Sequence, residues 1–376
     1  MARAAPTVRV DLVAAVSAAA ALAVASLTAE RSPAFWQALA ATEASPVKSR
    51  ALLGELGSLP LTEALPRLVG HSALSEAERR RVGFTYPQAL ERALEAGVRT
   101  LTERDFPEAL AEAVGTPPIL FIHGDEGCLH APTVAIVGTR SASTYGRACA
   151  HKFAEALARA GVTVVSGGAL GIDASAHRGA LEAGGRTAAV LAGGVDHVYP
   201  AVHHGLFGAI RDQGCLISQF AVGSKPNDYR FIVRNSLVAA LSSAVLVIEA
   251  PKRSGAIHTA QAAAELGREV FVVPANIDAM SFQGSFALIR DGATLVSHPV
   301  ELLESLGIEP GAPPEEAAPA SSQGERILSL LTSKPLAAER IVEQSGLSTA
   351  EVLSELTMLE LEGRIVRDTG GYALKP

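Results

Sequence analysis

The chain has 376 residues, enough for two or three domains of roughly 100–200 residues each. Hydrophobic residues make up 48% and charged residues 19%, which excludes wholesale disorder. The net charge of −7 excludes a broad basic surface of the kind that coats duplex DNA, but leaves room for a local basic groove.

Cys128, Cys149 and Cys215 show no paired spacing, so neither a disulfide framework nor a zinc site is expected, and the thiols suit a reducing, cytoplasmic setting. Leu12–Leu27 is apolar and alanine-rich behind Arg3 and Arg9, as in a signal peptide. Asp11 at its start, Ser17 and Ser26 within it and the weak hydrophobicity of alanine favour a soluble helix. The stretch is also short for a span of about 20 residues, so no membrane insertion is expected.

Residues 1–85 read as a helical accessory domain, with Pro33, Pro46, Pro60 and Pro66 breaking it into short helices. From about residue 131 the pattern becomes strand–helix alternation. Strands are predicted at Thr133–Val137, Val162–Ser166, Ala188–Leu191, Cys215–Phe220, Val245–Glu249, Val270–Val273 and Thr294–Val296. Helices are predicted between them at Tyr145–Ala160, Ala174–Ala183, Leu206–Asp212, Phe231–Leu241, Ile257–Leu266 and Ala287–Arg290. Such alternation means an α/β fold with a doubly wound, mostly parallel sheet. Residues 308–322 fall in a Pro-, Ala-, Glu- and Ser-rich flexible linker. Residues 323–376 then give three helices and a terminal hairpin, a winged-helix pattern.

Ligands of a parallel sheet bind beyond the carboxyl ends of its strands, so the loops there carry the site. After the first strand, Gly138-Thr139-Arg140-Ser141-Ala142-Ser143 turns into a helix whose N–H groups and dipole suit a phosphate, with Arg140 adding a forked cation. The same turn could equally be no more than a capped strand-to-helix connection. After the second strand, Ser166-Gly167-Gly168 lets a ligand backbone come close. Asp173 there is expected to be a helix N-cap, and His177 a packed or surface histidine. The third strand leads to Gly193-Gly194, then Tyr199-Pro200. None of these loops spells G-x-G-x-x-G, so dinucleotide binding is disfavoured and no cofactor is expected. His203-His204 lacks partners at ligand spacing, so no metal is expected either.

The segment Lys225–Arg253 is the most basic part of this domain. Lys225, Arg230, Arg234, Lys252 and Arg253 face only Asp228 and Glu249, with Phe231 and Tyr229 among the cations. Cations that track a backbone, interleaved with rings that stack on bases, are what a sequence-tolerant single-strand site needs. Ser254-Gly255 opens a further helix that can hold a phosphate or simply be capped.

Taken together and in order, these loops closely resemble the DNA-processing protein A (DprA, or Smf) family. The resemblance rests on Ile136–Arg140 with Tyr145-Gly146, and on Ser166-Gly167 with Gly171–Asp173, Ala176-His177 and Gly179–Leu181. It continues through Ala189–Leu191 with Gly194, Asp196 and Tyr199-Pro200, then Phe231 with Arg234-Asn235. Glu249-Ala250 with Ser254-Gly255, Thr259-Ala260, Glu265 and Gly267-Arg268 follow, then Val273-Pro274 and Gly292-Ala293. The lead-in, Leu101-Thr102 with Asp105–Pro107 and Pro117-Pro118 with Leu120-Phe121, extends the α/β domain back over residues 86–307.

The resemblance implies an extended Rossmann-like fold without known catalysis. It implies a homodimer that binds single-stranded DNA and helps load RecA recombinase in natural transformation. Carried over by position, Gly138, Arg140, Ser166, Gly167, Phe231, Arg234 and Asn235 line the DNA pocket. The sequence departs from the family at Ser236, where a cation is usual, and at Ile232, where proline is. Asp228, Ala275 and Phe286 also replace the expected types.

The tail resembles the winged helix of many family members, but residues 322–376 hold six Lys or Arg against eight Asp or Glu. Its third helix, Thr349–Glu362, has four Glu and no cation, which predicts weak or no duplex binding and a protein-interaction role. Two other classes compete. One is a nucleotide-binding phosphoribohydrolase-like enzyme, echoed by Ser254-Gly255 with Thr259 and Glu265. The other is a sequence-specific repressor reading DNA through the winged helix.

Overall fold

The computed structural model describes residues 33–82, 93, 96–310, 322–332, 335–361, 363–368 and 370–374. The helix expected over Leu12–Leu27 and most of the expected linker lie outside these residues. Among the described residues, no helix is long and apolar enough to cross a membrane.

Three helices open the described residues: α1 (Pro33–Thr42), α2 (Pro46–Leu56) and α3 (Leu61–Gly70). Pro46 stands in the first turn of α2, where no backbone N–H is needed, and Ser45 caps it by accepting from the Lys48 N–H at 3.3 Å. Pro66, expected to break a helix, instead lies inside α3. Phe35, Leu39, Leu52 and Leu68 form an apolar cluster that also takes in Ile119 and Phe121 of the sheet.

Nine strands build one sheet: β1 (Arg99–Thr102), β2 (Ile119–Gly124), β3 (Thr133–Val137), β4 (Thr163–Ser166), β5 (Thr187–Val190), β6 (Cys215–Ser218), β7 (Ala244–Val247), β8 (Glu269–Val272) and β9 (Thr294–Leu295). Their order is β1-β2-β6-β5-β4-β3-β7-β8-β9. At one edge β1 pairs antiparallel with β2 and β2 antiparallel with β6, and every other pair is parallel. The connections are α4 (Thr144–Arg159), α5 (Ile172–Glu182), α6 (His204–Gln213), α7 (Asp228–Ala240), α8 (Gly255–Glu265) and α9 (Gln283–Arg290), with α10 (Pro299–Ser305) closing the domain.

Strands β3 to β7 are buried at every position because both faces are covered, as parallel sheets require. Ala135, Val137, Val165 and Val247 face α7 and α8, packing on Leu237, Val238 and Ala260. Val134, Ile136, Val164 and Leu246 face α4, α5 and α10, packing on Phe153, Leu157, Ala176 and Leu302. Cys128 and Cys215, 87 residues apart in sequence, bring their sulfurs to 3.3 Å in the first of these layers.

The chain runs outward from β3 through β6, then returns by α7 to place β7 on the other side of β3. The β3/β7 junction is therefore the topological switch point, with loops leaving in opposite directions beneath the start of α7.

The last segment has its own core. Helices α11 (Ser322–Leu328), α12 (Ala338–Ser345) and α13 (Thr349–Leu361) pack with hairpin β10 (Ile365–Asp368) and β11 (Gly371–Leu374) around Ile327, Ile341, Val352, Leu356 and Ile365. This is a winged helix.

Candidate nucleic-acid interface

A cavity of about 320 Å³ opens at the switch point. Its walls come from four separate segments: Gly138, Thr139 and Arg140 after β3, Gly167 after β4, Phe231, Arg234 and Asn235 on α7, and Arg253, Ser254 and Gly255 at the start of α8. Sequence positions from 138 to 255 thus meet at one place because each follows a strand or opens a helix at the carboxyl edge.

The local reasons are visible. α7 begins at Asp228, three residues before the expected start, because the Asn227 side chain caps it by accepting from the Arg230 N–H at 2.9 Å. That extra turn presents Phe231 over the sheet edge. Ser254 caps α8 by accepting from the Ala256 N–H at 3.2 Å, which aims the positive end of α8 into the cavity. Gly171 has φ +78, and a Cβ there would strike the carbonyls of Thr139 and Arg140, so only glycine lets the β4 and β3 loops touch. Asp173 is consequently not the N-cap expected of it. The cap is Gly171, and Asp173 sits in the first turn of α5, buried.

The cations divide by environment. Arg234 is only 5% exposed and donates to the carbonyls of Gly167 and Val190, and to Asn235 Oδ1 at 3.1 Å. Burial pushes the Asp173 carboxyl above its usual range and the Arg234 guanidinium below its own, and the attraction between their charges opposes both shifts. Arg234 is thus largely committed to the floor of the site. Arg140 is exposed, and its guanidinium carbon lies 4.9 Å from the centre of the Phe231 ring. This is a cation–π contact worth about 0.5–1 kcal/mol where exposed. Arg253, one of the cations of the basic segment, is exposed on the wall, and so is His258, which the sequence did not single out.

Six expected residues do not line the cavity. Ser141 donates its N–H to Thr139 Oγ1 at 3.2 Å within the turn. The Ser166 hydroxyl donates to the Ile136 carbonyl at 2.7 Å, and Gly168 packs on Phe207. Ser143 caps α4 but is bound to an internal anion: its N–H and hydroxyl donate to Glu249 Oε2 at 2.9 and 2.8 Å. The positive end of α4, expected to seat a phosphate, is met by this buried carboxylate instead. Arg230 pairs with Glu43 of α1–α2 and also donates to the Lys225 carbonyl, on the far side of α7. A larger cavity there, about 610 Å³, has Glu43 and Glu265 but no Lys, Arg or His in its lining, which makes it a poor phosphate seat. Glu265 is thereby separated from Ser254 and Gly255, so the constellation that echoed a phosphoribohydrolase does not assemble. His177 is fully buried against the Thr187 hydroxyl at 2.7 Å, and His203 is buried with Nδ1 3.1 Å from the Gly168 carbonyl.

Fold and site together define a class: a doubly wound α/β domain with a cationic, aromatic cavity at its switch point, joined to a winged helix. The chain belongs to the DNA recombination-mediator protein A family, whose model matches residues 97–307, and the DprA winged helix domain model matches residues 311–371. It is a DNA-processing recombination mediator. Protein Smf of Synechocystis is 34% identical over 80% of this chain and 86% of its own length. Protein Smf of Escherichia coli is 37% identical over 71% and 74%. The X-ray structure of DNA processing protein A from Streptococcus pneumoniae aligns with TM-score 0.59 and 29% identity, over 77% of this chain and 96% of that one. The Helicobacter pylori protein, solved to explain its mode of single-stranded DNA binding, aligns with TM-score 0.51 and 30% identity over 56% and 95%.

Proposed function

We propose that the switch-point cavity binds single-stranded DNA, and that the chain acts as a cytoplasmic homodimer that protects incoming strands and hands them to RecA recombinase without catalysing a reaction. The observation that carries this reading is the meeting of Arg140, Phe231, Asn235, Arg253 and the open N-terminus of α8 at one cavity. Cations and N–H donors suit phosphates, and an aromatic ring suits any base. The family relationship and the Helicobacter pylori structure point the same way. The alternative, nucleotide hydrolysis, needs a poised base and nucleophile. The Thr259 hydroxyl is buried and turned to the Gly255 carbonyl at 3.5 Å.

The test compares wild type with Arg140→Ala on labelled oligo-dT and a matched duplex across a salt series. Wild type should hold the single strand more tightly than the duplex, and Arg140→Ala should lose about tenfold and flatten the log–log salt slope by about 0.7. Single-strand binding that is absent, or indifferent to Arg140, would remove the proposed pocket and make nucleotide cleavage the next assay.

A further inference from the structure

Phe231 is only half-buried, yet its surroundings are crowded. The Arg140 guanidinium stands 4.9 Å over the ring centre and that of Arg234 lies 5.8 Å away. On another side the ring meets Tyr199, with centroids 5.9 Å apart and planes tilted by 58°. Tyr199 itself is 51% exposed, and the loop after β5 that carries it forms a crevice with Gly167, Gly193, His197 and Phe231. The edge therefore presents two touching aromatic rings. The one already expected to stack is partly covered, and the neighbouring one is open.

The order of the strands gives this pair a direction. Tyr199 follows β5, Gly167 follows β4, Arg140 follows β3 and Ser254 follows β7, and these four strands are consecutive in the sheet. Three strand spacings make about 14 Å. A stacked base is about 3.4 Å thick, so the edge is long enough for more than one nucleotide. The cations and the α8 N-terminus lie toward the β7 end, and the open ring lies toward the β5 end. Tyr229 is more exposed, at 63%, but it lines the cavity that holds carboxylates and no cations.

We propose that Tyr199 is a second base-stacking platform, so that one nucleobase packs on its open face while the adjoining phosphate runs toward Arg140 and the start of α8. This rests on the single-strand reading of the same site and adds a residue and a polarity to it. The contact is between a ring and a base face, so it is tolerant of sequence and releases no counterions. It therefore differs in kind from the Arg140 contact.

The experiment titrates wild type, Tyr199→Ala and Tyr199→Phe with oligo-dT, and with the same oligonucleotide carrying one abasic site moved along its length. Tyr199→Ala should weaken binding about tenfold with an unchanged salt slope, and Tyr199→Phe should bind like wild type. One abasic position should cost wild type as much as the alanine substitution does, and should cost Tyr199→Ala nothing further. Tyr199→Trp gives a second readout, quenching of its fluorescence by oligo-dT that is lost with that abasic position. The proposal is overturned if wild type binds oligo-dT and Tyr199→Ala stays within twofold of it, or if Tyr199→Phe fails to restore binding. If wild type does not bind oligo-dT at all, the single-strand reading falls and this platform falls with it.

Discussion

Two regions of the molecule could meet nucleic acid, the loop edge of the α/β domain and the outer face of the winged helix, and they manage charge in opposite ways. At the loop edge the polar groups are layered. Asp173 and Arg234 are buried in the cavity lining, with His177 buried in the same helix as Asp173, while Arg140 and Arg253 stay exposed. On α13 the exposed residues are Thr349, Ala350, Glu351, Leu353, Ser354, Thr357, Met358 and Glu360, with no cation among them. The core of that helix is Val352, Leu356 and Leu359. A net charge of −7 therefore says little about binding, because the few cations that matter are placed where a strand can reach them, over a floor neutralised from within.

The largest effect should come from that floor. Removing the side chain in Arg234→Ala leaves the Asp173 carboxyl buried without its opposite charge and frees the carbonyls of Gly167 and Val190. A loss of about 3–5 kcal/mol in stability is expected, read as a lowered urea midpoint. A cost under about 1 kcal/mol would mean that Arg234 is a free ligand contact after all, and the layered picture would be wrong.

Acid should sharpen the same distinction. Burial, together with the charges of His203 and Arg234, lowers the pKa of His177 from 6.5 to about 3. Between these values the unfolded chain binds a proton that the folded chain refuses, so stability is full above pH 6.5 and falls as the pH drops toward 3. By pH 4.5 the loss from this residue should be about 2–3 kcal/mol. The measurement is the urea midpoint against pH for wild type and His177→Gln. Parallel curves would rule out His177 as the source.

How much of this was legible in the sequence follows from what kind of signal each feature has. The strands β3 to β8 were, because a sheet covered on both faces writes unbroken apolar runs bounded by glycine. The clustering of Gly138, Arg140, Gly167, Phe231 and Ser254 was legible too, since strand order places all their loops at one edge. The sign of each local environment was not. Nothing in the run Lys225–Arg253 separates Arg230, tied to Glu43, from Arg253, which faces the cavity. The separation of 106 positions between Ser143 and Glu249 hid the carboxylate that fills the α4 terminus. Pairings of this sort are made by tertiary contact, and local spacing carries no trace of them.

A smaller effect should attach to the exposed layer. Phe231→Ala removes a ring worth about 1–3 kcal/mol of stacking per base, so affinity for oligo-dT should fall about tenfold. Because the ring is half-buried, the urea midpoint should move far less than for Arg234→Ala. If the two substitutions trade places, with stability lost at Phe231 and binding lost at Arg234, the assignment of floor and platform must be exchanged.

The smallest effect should come from removing the winged helix. Its core, from Ile327 to Tyr372, is its own, so truncation after residue 310 leaves the apolar layers of the α/β domain intact. Affinity for the single strand should stay within about twofold, because each cation of the proposed pocket lies in residues 140–253. Duplex affinity should not fall, since a helix that presents Glu351 and Glu360 and no cation repels phosphates rather than gathers them. A tenfold loss on truncation would show that the wing or its linker completes the strand's path. The contrast between the two regions would then be one of cooperation and not of division.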